Sequence, residues 1–254
     1  VQPNFEQYIK YSALARNIYG RYTDQIEPYG MDECWLDITG SSMGSPLAIA
    51  ESIRETIKNE LGLTVSIGVS FTKIFAKLGS DLKKPDAITC ITPKSYRKQI
   101  WPLPTSDLLY VGRATTEKLH KHGIETIGGI AKCDKMLLKS WLGVNGIKLW
   151  EFANGVDDSR VRPFDYEPVA KSVGHGITCT ADLENSNEVL QVLFELAQGV
   201  SLRLRQAALI ATRVQIYIRD CNLNYRQFQC KLPYPTQSWR EMVNCAIDLF
   251  RLRY

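Results

Sequence analysis

The chain has 254 residues, 44% hydrophobic and 23% charged, enough apolar content to bury at least one sizeable core with room for two or three. That composition excludes disorder as the main state, and no run approaches the roughly 18 consecutive apolar residues of a membrane span. The formal charge of +4 is spread evenly, with 12 basic against 11 acidic residues in 1–101, 9 against 8 in 102–165 and 10 against 8 in 166–254, so whole-chain charge names no partner. In chain order, Phe5, Tyr8, Ile9, Leu14, Ile18 and Tyr22 recur at near-helical spacing and predict a helix over 4–22 with one buried side. Strands are expected over 26–29 and 34–38, joined by a turn over 30–33. Ser45 as N-cap and Pro46 at the first helical position open a helix whose Ala50, Ile53, Ile57 and Leu61 form the apolar stripe, closed by Gly62. A strand over 64–69, a helix over 73–83 stopped by Pro85, and a strand over 87–91 complete an α/β layer pattern.

The prolines of Trp101-Pro102-Leu103-Pro104 suit a connection between domains, and the segment after them reads as short helices punctuated by Gly112, Gly123, Gly128, Gly129, Gly143 and Gly146. After Arg162-Pro163 the pattern changes again. A helical stripe runs from Val189 to Leu204; then Val214, Ile216 and Ile218 alternate with Arg213, Gln215, Tyr217 and Arg219, which predicts a strand with one core face and one basic, polar face. A partner strand over 225–232 and a helix from about Thr236 give a βαββαβ pattern whose final strand is missing. The chain starts at Val1 and stops inside an apparently helical pattern, so it reads as a fragment. Its seven cysteines are an odd count, far apart, without a Cys-x-x-Cys pair; they are expected to be reduced thiols in a cytoplasmic protein.

Two stretches, 73–98 and 203–231, each carry a net charge of +5, which fits either a solvated face or a polyanionic partner. The chemistry concentrates at Asp32 and Glu33, consecutive acids in a short turn between apolar strands. Such a pair is ordinary turn chemistry unless both carboxylates converge on divalent cations, which prefer hard oxygen ligands. Phosphoryl transfer through two metal ions uses carboxylates in this way, and two acids call for a third ligand from elsewhere. His120, His122 and His175 show no ligand spacing, and Asp37 is expected to be structural.

The stretch Tyr29-Gly30-Met31-Asp32-Glu33-Cys34-Trp35-Leu36-Asp37 resembles the signature turn of the Y-family, lesion-bypass DNA polymerases, where Ser-Ile-Asp-Glu is usual in place of Gly30-Met31-Asp32-Glu33. Ser66-Ile67-Gly68-Val69-Ser70, then Lys73, Phe75-Ala76-Lys77-Leu78 and Ser80-Asp81-Leu82-Lys83-Lys84-Pro85 are similar in order and spacing to the family's second palm block. Thr115-Thr116-Glu117-Lys118-Leu119 with Gly123-Ile124 resembles the thumb's helix-hairpin-helix, and Lys171-Ser172-Val173-Gly174 the opening strand of the little finger. The polymerase-IV-like members are the nearest in pattern. The resemblance implies an α+β multidomain fold: a ferredoxin-like palm over 1–101, a small helical thumb over 102–165 and a βαββαβ little finger over 166–254 lacking its last strand. It places the first palm strand with the leading metal-binding aspartate, and most of the fingers, before Val1, so this chain alone is expected to be inactive. One departure is Tyr110-Val111-Gly112, where the family reads Gly-x-Gly; glycines there let backbone N–H groups approach a phosphate.

What the resemblance implies for roles follows residue by residue. Asp32 and Glu33 would be catalytic, holding two Mg²⁺ ions whose third carboxylate lies outside the chain, with Glu33 on the ion that activates the primer 3′-hydroxyl. Lys84 would lie against the incoming triphosphate; its other reading is a solvated lysine favoured by a helix C-terminus. Gly112, Thr116, Lys118, Lys171, Ser172, Arg213 and Arg219 would contact DNA. The partners implied are primer-template DNA, dNTP and, through a segment not present, a sliding clamp, with no membrane. Two other readings stay open: a non-catalytic DNA-binding protein on the same scaffold, and a diguanylate-cyclase-like enzyme, whose Gly-Gly-Asp-Glu-Phe turn is similar to Gly30-Met31-Asp32-Glu33-Cys34 but whose fold has no place for the later segments.

Overall fold

The computed structural model describes residues 3–166 and 169–254, which divide into two compact units, Val1–Glu167 and Pro168–Tyr254. In the first unit, α1 (Phe5–Tyr19) is capped by Asn4, whose side-chain oxygen accepts from Gln7 N at 3.2 Å. Helix α2 (Pro46–Leu61) has the expected ends: the Ser45 hydroxyl accepts from Ala48 N at 3.2 Å, and Gly62 closes it at φ +66°, a left-handed conformation that suits a residue without Cβ. Its buried Ile49, Ile53 and Ile57 pack on Ile18 of α1 and on half-buried Leu36, Val65 and Ile67.

Strand β1 (Ile26–Tyr29) pairs antiparallel with β2 (Glu33–Leu36), Ile26 opposite Leu36 and Tyr29 opposite Glu33. The second strand ends sooner than expected because the Asp37 carboxylate accepts from Thr39 N at 2.9 Å and turns the chain away. Strand β3 (Ile67–Ser70) pairs in parallel with β4 (Ile88–Ile91), with α3 (Lys73–Leu82) crossing between them. Gly68 makes this crossover possible, since a Cβ there would lie 1.9 Å from the Ala76 carbonyl oxygen of α3. Among the described residues this unit carries two two-stranded sheets, β1–β2 and β3–β4.

Helix α4 (Tyr96–Ile100) and a 3₁₀ turn (Thr105–Asp107) lead into α5 (Arg113–Lys121), α6 (Ile127–Lys132), α7 (Lys135–Leu142) and α8 (Val144–Ala153). One buried cluster runs from Phe75 and Leu78 of α3 through Ile100 to Leu119, Ile130 and Leu149. The proline-bearing stretch at 101–104 is packed into this cluster. Trp101 Nε1 donates to Ala153 O at 3.0 Å, and the Trp101 and Leu103 carbonyls accept from Gly128 N and Ile127 N, both at 2.9 Å.

The second unit is built from α9 (Ser186–Gln206), the antiparallel pair β5 (Ala211–Arg219) and β6 (Tyr225–Thr236), and α10 (Trp239–Arg253). Asn185 and Glu188 cap α9 reciprocally, Glu188 N donating to Asn185 Oδ1 at 3.1 Å and Asn185 Nδ2 to Glu188 Oε1 at 2.7 Å. Along β5 the burial alternates as expected: Ile216 is buried, Val214 and Ile218 half-buried, and Arg213, Gln215, Tyr217 and Arg219 exposed. Two expectations are corrected. The segment Lys171–Gly174 joins no strand; Val173 packs on the core, but the Gly174 carbonyl accepts from Arg203 Nη1 at 2.6 Å, so a side chain of α9 takes the place of a ladder bond. The seven cysteines are not all free thiols, because α10 packs on the sheet with Cys245 against Cys230 of β6 and the two are bonded, a pairing hidden by 15 residues of sequence separation.

Candidate active site

The β1–β2 hairpin closes through Gly30, Met31 and Asp32, with Gly30 at φ +78°. Its pairing puts Glu27, Tyr29, Glu33 and Trp35 on one face and Ile26, Pro28, Cys34 and Leu36 on the other. The first of these faces meets α3. Trp35 Nε1 donates to Lys73 O at 2.9 Å, and the Lys73 ammonium lies 4.5 Å from the Trp35 ring centre while pairing with Glu27 Oε2 at 2.7 Å. One turn further along α3, Lys77 Nζ reaches Glu33 Oε1 at 2.9 Å and Asp81 Oδ2 at 2.6 Å, and Asp81 Oδ1 takes Lys84 Nζ at 2.8 Å. Asp32 is exposed at the tip and makes no ion pair among the described residues.

From the opposite side α1 holds the turn. The Ser12 hydroxyl donates to the Met31 carbonyl, and Arg16 donates to both oxygens of Ser12, at 3.1 Å to the hydroxyl and 3.3 Å to the carbonyl. Burial works against the charge of Lys77, yet its bonds to Asp81 and Glu33 outweigh it and hold its pKa above the ordinary lysine value. Burial likewise opposes ionisation of Asp81, and Lys77 and Lys84 together keep that carboxyl below the usual range. Next to Glu33, burial pushes the Cys34 thiol up to about 11 despite the nearby Arg16, so it is protonated at neutral pH and is no nucleophile.

Two of the residues singled out from sequence, Glu33 and Lys84, are therefore linked through Lys77 and Asp81, while Asp32 adjoins Glu33 in the chain without joining this row of ion pairs. Sequence reasoning quoted Lys77 and Asp81 only as part of a motif; their i, i+4 spacing on an amphipathic helix was the available signal. Asp37 serves the chain turn, and His122 stacks on Trp141 with ring centres 3.7 Å apart. Among the described residues no group of three or more His, Cys, Asp or Glu side chains converges.

Two further surfaces carry the remaining residues. Just before α5, Tyr110 takes φ +71°, the left-handed conformation that a glycine adopts readily. Gly112 N-caps the helix with open space around it, and its carbonyl accepts from Thr115 N, Thr116 N and the Thr116 hydroxyl at 3.0, 2.9 and 3.2 Å; Lys118 is exposed on the next turn. In the second unit, Lys171 and Ser172 are exposed in the irregular segment, whereas Arg213 and Arg219 stand on the outer sheet face. Register adds neighbours missed from sequence: Lys231 sits opposite Arg213, and Tyr225, opposite Arg219, stacks on Tyr217 with centres 5.5 Å apart. Applying to 225–231 the alternation used for β5 would have found them.

A model of the impB/mucB/samB family matches residues 1–81, and the model of that family's C-terminal domain matches 170–254. The chain belongs to this family. Among curated members, a DNA polymerase IV of Acetivibrio thermocellus is 44% identical over 252 residues, covering 98% of the chain and 63% of that protein. A DNA polymerase IV of Clostridium acetobutylicum is 34% identical over 249 residues, with 98% and 62% covered. The chain thus spans less than two thirds of the length of these relatives. A solved Y-family DNA polymerase chimera of Dbh and Dpo4 has the same fold, with a TM-score of 0.85 at 21% identity, covering 98% of this chain and 71% of that one.

Proposed function

We propose that the whole protein is a DNA-directed DNA polymerase of the error-tolerant translesion class, adding deoxynucleotides to a primer 3′-hydroxyl in cytoplasmic DNA damage tolerance and repair. Membership of the impB/mucB/samB family and relatives named DNA polymerase IV support the class. The observation that supports the chemistry is the acidic turn facing the lysines of α3: the Glu33 carboxylate pairs with the ammonium group of the Lys77 side chain at 2.9 Å, and Asp32, next in the chain, offers a second hard oxygen donor. These donors fit Mg²⁺ in kind, and in this reading two ions are held by Asp32, Glu33 and a further carboxylate of the whole protein. Bound there, the ions would supply the acidity for the attacking hydroxyl and charge neutralisation for the leaving diphosphate.

The chain's own residues then divide the remaining work. Lys84 offsets charge on the triphosphate. Residues 1–101 act as palm, 102–165 as thumb and 166–254 as little finger. Gly112, Thr116 and Lys118 hold backbone phosphates on the thumb; Lys171, Ser172, Arg213 and Arg219 do so on the little finger, a grip that follows charge rather than sequence. A sliding clamp engages a segment outside this chain. In the whole gene product, Asp32→Ala or Glu33→Ala is expected to lower primer extension by about 10³-fold or more while primer-template affinity stays within about threefold. Near-normal turnover in either variant would sink the assignment, and a wild type that binds DNA but never extends it would leave the non-catalytic reading standing.

A further inference from the structure

Between the acidic turn and Lys84 stands a carboxylate without a role so far. Asp81 follows Lys77 by four residues and precedes Lys84 by three, and its two oxygens take the two ammonium groups at 2.6 and 2.8 Å. Since Lys77 also reaches Glu33 at 2.9 Å, the four side chains form an alternating row, carboxylate, ammonium, carboxylate, ammonium, from the turn to the end of α3. The lysines are not held alike. The Lys77 side chain is 16% exposed and shared by two carboxylates, whereas that of Lys84 is 55% exposed, with Asp81 as its one ion-pair partner among the described residues.

We propose that Asp81 is a positioning residue for the incoming nucleotide: it holds the Lys84 ammonium where the triphosphate arrives and, through Lys77, keeps it in register with Glu33. This rests on the polymerase reading above. A lysine side chain loses much rotamer freedom when it is fixed, and ordering it before the nucleotide binds removes that cost from the binding step. Asp81 does not itself touch the nucleotide. Its own negative charge opposes a triphosphate, so an Asp81 that contributed charge alone would weaken nucleotide binding, and neutralising it would lower KM. A positioning role has the opposite sign.

The test is single-nucleotide incorporation by the whole gene product on a primer-template, with KM for dNTP and kcat measured separately. Asp81→Asn, which keeps shape and removes charge, is expected to raise KM about 10-fold with kcat within about threefold and DNA affinity unchanged. Lys84→Ala should do the same, and Asp81→Asn combined with Lys84→Ala should be no worse than Lys84→Ala alone, because the first side chain acts through the second. Asp81→Glu, with its carboxylate retained, should recover most of the loss. A KM that falls or does not move in Asp81→Asn, or additive effects in the double variant, overturns the proposal while leaving the polymerase reading intact. Failure of the wild type to incorporate any nucleotide overturns both.

Discussion

Neutralising Arg213 and Arg219 together tests whether the outer sheet face of the second unit grips a nucleic-acid backbone. Both arginines are exposed, alternate with the buried side of β5, and make no ion pair among the described residues, so their charges are available to a phosphate. For duplex DNA, log K falls with log salt by about 0.9 per phosphate neutralised, so losing two contacts should flatten the slope by about 1.8. Between 50 and 200 mM salt, the wild type should then lose about 12-fold more affinity than Arg213→Gln/Arg219→Gln. Adding Lys231→Gln, directly opposite Arg213, extends the difference to about 40-fold. Arg226 is the internal control: it pairs across from Ile218, on the strand face turned to α10, and lies over the Tyr254 ring at 5.8 Å, so Arg226→Gln should leave the slope alone. Fluorescence anisotropy of a labelled primer-template across a salt series reads all four proteins, and two unrelated sequences should give the same slopes, since phosphate contacts read no bases. An unchanged slope in the double variant would mean that this face is only solvated, and would refute the assignment.

Other expectations follow from local geometry. Gly68→Ala should destabilise the first unit by about 3 kcal/mol or more in thermal or urea unfolding, because the new methyl meets the Ala76 carbonyl at 1.9 Å, whereas Gly112→Ala, with open space and φ −85°, should leave stability nearly unchanged. At Tyr110 the usual ranking reverses: with φ at +71°, Tyr110→Gly should be more stable than Tyr110→Ala by about 1 kcal/mol, and equal stability would refute a left-handed backbone there. Cys34 and Tyr19 have raised pKa values, about 11 and about 12 against ordinary values of 9.0 and 10.0, so the unfolded chain gives up these protons first. Their contribution to stability is full below pH 9 and is lost as pH rises from about 9 towards 12; Cys34→Ala should flatten the first part of that decline in unfolding midpoints.

Much of this molecule was legible from local pattern. Ser45, Pro46 and Gly62 mark both ends of α2 because capping depends on the few backbone groups a helix end leaves unpaired. The two faces of β5 follow from the period of an extended chain, and Asp32 beside Glu33 needs no tertiary information to be noticed. Periodicity tells a side chain which way to face but not whom it meets. Glu33 and Lys77 are separated by 44 residues, Glu27 and Lys73 by 46, and both pairs exist only because α3 packs across the face of β1–β2. The same packing continues the core past the prolines at 102 and 104, where sequence pattern marked a boundary, and the docking of α10 on β6 joins Cys230 to Cys245. In the segment at 171–174, where the family resemblance implied a strand, the Gly174 carbonyl accepts from Arg203 instead, since a backbone carbonyl can be satisfied by a side chain as well as by a ladder. Capping, alternation and the Asp81–Lys84 pair are decided within a few residues of chain, whereas the partners of Glu33 and Gly174 were decided by how distant elements packed together.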